Sequence, residues 1–112
     1  MSLILNGVLT ALTTPFDADE NVDFPALKRV IDRSIDAGVN GLVAGGSTGE
    51  FAALTAAERL DLVDTVIEHT AGRVPVIAQT GAMTTQEAIH FSQAAQESGA
   101  DVLMVVTPYY EP

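Results

Sequence analysis

The chain has 112 residues, 47% of them hydrophobic and 18% charged, with a formal net charge of -10 and no cysteine. This excludes disorder, which needs few apolar residues beside a high net charge, and it excludes disulfides, thiolate metal sites and a cysteine nucleophile. The negative field opposes nucleic acid and anionic membranes as partners but not a small anion held by backbone N–H groups, and no apolar run approaches the roughly 20 residues of a membrane helix.

The N-terminus, Met1-Ser2-Leu3, shows no basic region followed by a long apolar stretch, so no signal peptide is read and a cytoplasmic location is expected. The first buried strand is expected at Gly7-Val8-Leu9-Thr10-Ala11-Leu12, followed by a turn at Thr13-Thr14-Pro15-Phe16. A helix is expected over 24–37, with Asp23 as N-cap, Pro25 in the first turn and Gly38 as the stop. Its mostly apolar face carries Leu27, Val30, Ile31, Ser34 and Ile35. The second strand is Gly41-Leu42-Val43-Ala44. A second helix starts at the capping box Thr55-Ala56-Ala57-Glu58, turns Leu60, Val63, Val66 and Ile67 inward, and ends near Gly72. The third strand is Val74-Pro75-Val76-Ile77-Ala78. A third helix starts at a further capping box, Thr84-Thr85-Gln86-Glu87, and ends at Gly99. The fourth strand is Val102-Leu103-Met104-Val105-Val106.

Two of the helix-to-strand joints repeat. Asp36-Ala37-Gly38-Val39-Asn40-Gly41-Leu42-Val43 parallels Glu97-Ser98-Gly99-Ala100-Asp101-Val102-Leu103-Met104. A strand–helix unit recurring with such short joints implies a parallel sheet, either a closed (β/α)8 barrel or an open doubly wound sheet. No Gly-x-Gly-x-x-Gly follows the first strand, and the distinctive loops follow strands two and four at the end where barrel enzymes build active sites. The expected fold class is therefore α/β, a TIM (β/α)8 barrel. Four strands and three helices do not close a barrel of about 250 residues. Residues 1–112 are accordingly expected to be the N-terminal half of a single catalytic domain in a longer chain, because two unpaired sheet edges invite aggregation.

Gly45-Gly46-Ser47-Thr48-Gly49-Glu50, after the second strand, is the strongest local signal. Its glycines admit close backbone approach, and its N–H groups and hydroxyls can receive a carboxylate; equally, it can be a tight turn with capping hydroxyls. Thr107-Pro108-Tyr109-Tyr110 places two phenols after the fourth strand, as a proton relay or as packing. Thr13-Thr14-Pro15-Phe16 either lines the same face or only turns the chain. Glu50 either supports the glycine loop or bonds its backbone. His69 and His90 fall on helices, away from strand ends, and read as surface residues. The single lysine, Lys28, lies within the first helix and reads as solvent-facing, so this stretch holds no amine nucleophile of the desolvated kind that forms imines.

The glycine motif resembles the Gly-x-Thr-Gly-Glu signature of the dihydrodipicolinate synthase / N-acetylneuraminate lyase superfamily. Leu12-Thr13-Thr14-Pro15-Phe16, Leu54-Thr55-x-x-Glu58-Arg59 and Val106-Thr107-Pro108-Tyr109-Tyr110 support it in order and spacing. The resemblance implies a pyruvate-dependent class I aldolase or lyase. Pyruvate, or a 2-keto acid yielding it, forms a Schiff base with a lysine beyond Pro112 and reacts with an aldehyde. It further implies that Ser47, Thr48 and Gly49 bind the carboxylate, that Ser47 also joins a hydroxyl relay with a tyrosine beyond Pro112, and that Tyr110 completes this relay from the neighbouring subunit of a dimer of dimers. No metal or organic cofactor is implied. Ser47-Thr48 replaces the usual threonine pair of the synthases, and Glu111 stands where they often have Asn. Sialate lyases usually show Phe-Tyr-Tyr where this chain has Pro108-Tyr109-Tyr110. The expected activity is dihydrodipicolinate synthase-like. The alternatives are an N-acetylneuraminate lyase or other 2-keto-3-deoxy sugar acid aldolase, a non-catalytic half-barrel that oligomerises, and an open-sheet domain binding a phosphorylated ligand at residues 45–49.

Overall fold

A computed structural model describes residues 3–108. The elements follow the expected alternation: β1 (Leu9–Ala11), α1 (Phe24–Asp36), β2 (Gly41–Ala44), α2 (Ala56–Thr70), β3 (Val76–Gln79), α3 (Thr85–Ser98) and β4 (Val102–Met104). The strands form one parallel sheet in the order β1-β2-β3-β4. Each connection is a strand–helix–strand crossover to the next neighbour, so crossovers of one hand put every helix on the same face. The packing agrees. Leu42, Ala44, Val76 and Ala78 meet Leu27 and Ile31 of α1, Leu62, Val63 and Val66 of α2, and Ala95 of α3 in one core. An open doubly wound sheet reverses its strand order at the ligand crevice and covers both faces. No such reversal occurs among the described residues, and the open-sheet alternative falls with it.

The helices begin where their caps dictate. The Asp23 carboxylate accepts the Ala26 N–H at 2.9 Å, and Pro25 lies in the first turn of α1. At α2 the capping box is complete, with Glu58 N–H to Thr55 Oγ1 at 3.1 Å and Thr55 N–H to Glu58 Oε1 at 2.9 Å. The box expected at α3 is only half made. Thr84 Oγ1 accepts from Glu87 N–H at 3.2 Å, while the Glu87 side chain lines a cavity beside Arg59.

Four other expectations need correcting. The first strand is shorter than residues 7–12, and the fourth stops at Met104. The third starts two residues late, at Val76, because Pro75 has no N–H; its carbonyl still accepts from Leu42 N–H at 3.0 Å. On α2 the buried side chains are Leu62, Val63, Val66 and Thr70, while Leu60 and Ile67 are half-buried. Wedged between α1 and α3 as well as on the sheet, α2 buries a wider arc than one stripe.

The repeated joints have a common physical basis. Asn40 N–H donates to the Val8 carbonyl at 2.7 Å, and Asn40 Oδ1 accepts from Val8 N–H at 2.9 Å. Asp101 does the same one strand pair later. Its N–H donates to the Val76 carbonyl at 3.0 Å, and Oδ2 accepts from Val76 N–H at 2.9 Å. In each repeat the Asn/Asp side chain supplies the acceptor that the following backbone does not, closing the N-terminal end of the preceding strand.

Candidate active site

The opposite end of the sheet carries the loops. After β2 the chain turns at Gly45, whose φ of 66° lies in the region that favours glycine. Residues 47–50 close a turn through Glu50 N–H to the Ser47 carbonyl at 3.0 Å, and a 3-10 turn, Phe51–Ala53, leads to α2. Glu50 itself is left-handed and exposed, with its N–H in the turn, so it bonds the loop through its backbone.

Ser47 and Thr48 are exposed and Gly49 is buried. Among the described residues, no partner satisfies the N–H groups of Ser47, Thr48 and Gly49 or the hydroxyls of the first two. Unpaired donors gathered at one loop can receive a carboxylate without displacing any internal bond. The loop is seated from the β1 side by buried Thr14, whose hydroxyl donates to the Gly49 carbonyl at 2.6 Å. Thr13-Thr14-Pro15-Phe16 is thus more than a turn: one of its hydroxyls fixes the far end of the glycine loop.

The loop after β3 is held still more firmly. Arg59 of α2 donates to the Gly81 carbonyl at 2.8 Å and lies over the rings of Phe91 (3.9 Å) and Phe51 (5.4 Å). Burial pulls the Arg59 guanidinium below its ordinary value, and Glu87 acts in the opposite direction. Thr80, fully buried, accepts from or donates to Ser92 of α3 at 2.8 Å, and its N–H bonds the Met104 carbonyl at 2.9 Å. A cavity of about 150 Å³ lies on the outer side of this loop, lined by Phe51, Arg59, Met83, Glu87 and Thr107 among others. Arg59 enters the sequence reading only as the last residue of the motif Leu54-Thr55-x-x-Glu58-Arg59, with no role given, and Gln79 does not enter it. The one available signal is a polar residue ending the apolar run Val76-Ile77-Ala78-Gln79.

Of the other candidates, Lys28 is exposed on α1 and His90 is exposed on α3, as expected. His69 is not a free surface residue. Its Nε2 lies 2.9 Å from Asp32 Oδ1, which also accepts from Arg73 at 2.9 Å, so α2 is tied to α1. Arg73 completes this corner by donating to the carbonyls of Thr70 and His69 at the end of α2. Tyr110 lies outside the described residues. Among the described residues, no group of three or more His, Cys, Asp or Glu side chains is placed to hold a metal ion, and no helix is long and apolar enough to cross a membrane.

Comparison with known proteins gives the arrangement a family. Residues 4–112 match the Dihydrodipicolinate synthetase family. The 4-hydroxy-tetrahydrodipicolinate synthase of Neisseria gonorrhoeae is 47% identical over 107 residues, covering 96% of this chain and 37% of that protein. The enzyme of the same name from a Psychrobacter species is 48% identical over 106 residues, covering 95% and 35%. Among solved structures, dihydrodipicolinate synthase from Aquifex aeolicus superposes with a TM-score of 0.91 at 40% identity, covering 95% of this chain and 36% of that one. YagE, a prophage protein of the dihydrodipicolinic acid synthase family from E. coli K12 solved in complex with pyruvate, gives 0.93 at 42% identity, covering 96% and 36%. The chain thus spans a little over a third of the length of the relatives it matches, although it carries four of the eight strands of a barrel. The chain belongs to the dihydrodipicolinate synthetase family, and its sheet and helices are the N-terminal part of a (β/α)8 barrel.

Proposed function

We propose that residues 1–112 supply the carboxylate-binding half of a pyruvate-dependent class I aldolase, a lyase with 4-hydroxy-tetrahydrodipicolinate synthase-like activity, and that they form the N-terminal part of its single catalytic domain. The observation that carries this reading is the set of donors at Ser47, Thr48 and Gly49 that have no partner among the described residues, at the end of the sheet where barrel enzymes hold their substrates. The relatives named above support it, as does the pyruvate bound in YagE.

In this reading the loop grips the pyruvate carboxylate. A lysine from the part of the protein beyond Pro112 condenses with the keto carbon, losing water to give an imine. Loss of a methyl proton then gives an enamine whose carbon attacks an aldehyde; the new C–C bond forms, the imine is restored, and attack of water at the imine carbon releases the product and frees the lysine. Ser47, with Tyr110 from a neighbouring subunit, passes the proton that the aldehyde oxygen gains. The assembly is a dimer of dimers in the cytoplasm, and the chemistry calls on no metal or organic cofactor. Ser47-Thr48 in place of a threonine pair also fits an N-acetylneuraminate lyase or related sugar acid aldolase, which runs the same steps in the cleavage direction.

The test is the intact mass of the full-length protein after treatment with pyruvate and borohydride, with a control lacking pyruvate. A pyruvate-dependent adduct is expected. No adduct at saturating pyruvate would overturn the aldolase reading in favour of a non-catalytic half-barrel. Assaying condensation of pyruvate with an aldehyde against cleavage of N-acetylneuraminate separates the two enzymatic readings.

A further inference from the structure

We infer that Gln79 is a positioning residue for the carboxylate-binding loop, acting as a strut between the loops after β2 and β3. The inference rests on the function proposed above and adds a residue to its site. Register puts Gln79 on the inner face of the sheet, opposite Met104 and in line with Ile77 and Val43, away from the helix-covered core. It is 2% exposed. A primary amide buried there is costly unless both its ends are bonded.

Both ends are bonded, and to different loops. Oε1 accepts the Gly81 N–H, and Nε2 reaches the Gly45 carbonyl at 3.5 Å. Only this orientation of the amide matches an N–H on one side and a C=O on the other. The Gly81 end is fixed. Its carbonyl accepts from Arg59, and a Cβ at Gly81 would sit 2.5 Å from the Val106 carbonyl oxygen, so Val106 backs directly against it. The Gly45 end is the pivot, because the left-handed turn there sets the direction of the peptides that carry the N–H groups of Ser47, Thr48 and Gly49. Gln79 thereby transfers the rigidity of α2 and the loop after β4 to donors that Gln79 itself does not join.

The experiment uses the full-length protein with Gln79→Met, which keeps side-chain length and removes both bonds, and Gln79→Glu, which keeps the acceptor for Gly81 but sets an oxygen against the Gly45 carbonyl. The readouts are KM and kcat for pyruvate and hydrogen exchange at the Glu50 and Phe51 amides, whose bonds to the Ser47 and Gly46 carbonyls close the loop after β2. For Gln79→Met, KM should rise about tenfold, equivalent to about one hydrogen bond's worth of grip on the carboxylate lost as the loop loosens, with kcat changed by less than about threefold and faster exchange confined to Glu50 and Phe51. Gln79→Glu should not restore either value. Should Gln79→Met fail to fold, Gln79→Glu is read by the same measurements against wild type. Unchanged KM and exchange, restoration by Gln79→Glu, or exchange rising equally over all three helices would each overturn the strut. Exchange is measured without pyruvate, so it decides the matter even if the wild-type protein forms no imine and the aldolase reading has failed.

Discussion

The two ends of the sheet treat their backbone groups in opposite ways. At the N-terminal end, Asn40 and Asp101 close the strands with paired bonds, and the side-chain oxygen takes a donor that would otherwise be unpaired. At the C-terminal end, the loop after β2 keeps three N–H groups and two hydroxyls without a partner among the described residues, while the groups around them are bonded by Thr14, Gln79 and Arg59. The same strand–helix unit is therefore sealed at one end and held open at the other. Pairing stabilises; leaving donors free in a braced loop reserves them for a ligand.

The comparison breaks first at the open end. Replacing Ser47 with Ala and Thr48 with Val together in the full-length protein should raise the pyruvate KM about a hundredfold, as expected for two lost bonds to a carboxylate, with little change in thermal midpoint. Steady-state kinetics beside a melting curve checks it; a large fall in the midpoint would mean that the hydroxyls cap the turn instead. The closed end should answer in reverse. Asp101→Ala leaves the Val76 N–H without its acceptor and should cost about 1–3 kcal/mol of stability, with the pyruvate KM unchanged, as denaturant unfolding and kinetics would show.

The smallest effect belongs to the helix layer. Asp32 is held below its ordinary value of 3.8, first by the hydrogen bond from Arg73 and then by that from His69. A depressed carboxylate contributes stability above its unfolded value and loses it as pH falls through the folded one. Asp32→Asn should therefore lower stability slightly at neutral pH. The difference from wild type should vanish in strong acid and shrink in high salt, since the pair is exposed. Melting curves across pH and ionic strength would detect it, and a difference that persisted in acid would point to packing.

Local pattern carries much of this molecule. The caps at Asp23 and Thr55, the second strand and the glycine loop are short-range features, written within a few residues, and the repeated Asn40 and Asp101 mark two joints by pattern alone. What local pattern could not convey was pairing across the chain. Gln79 meets Gly45 and Arg59 meets Gly81 only after helices intervene, and His69 finds Asp32 only because α2 packs beside α1. Leu62 was missed for the same reason, since its burial depends on flanking helices rather than on a single stripe. The role given to Tyr110 rests on resemblance alone, because that residue lies outside the described part of the chain.

The strand order has a consequence for how the molecule is made. Among the described residues, β2, β3 and β4 each pair with the strand before, about thirty residues upstream, and the helices pack on their neighbours in chain order. No strand waits for a distant partner before its first ladder can form, so loop closure stays cheap and assembly can follow the order of synthesis. A nascent chain can add one strand–helix unit at a time to a growing edge, with β4 the newest.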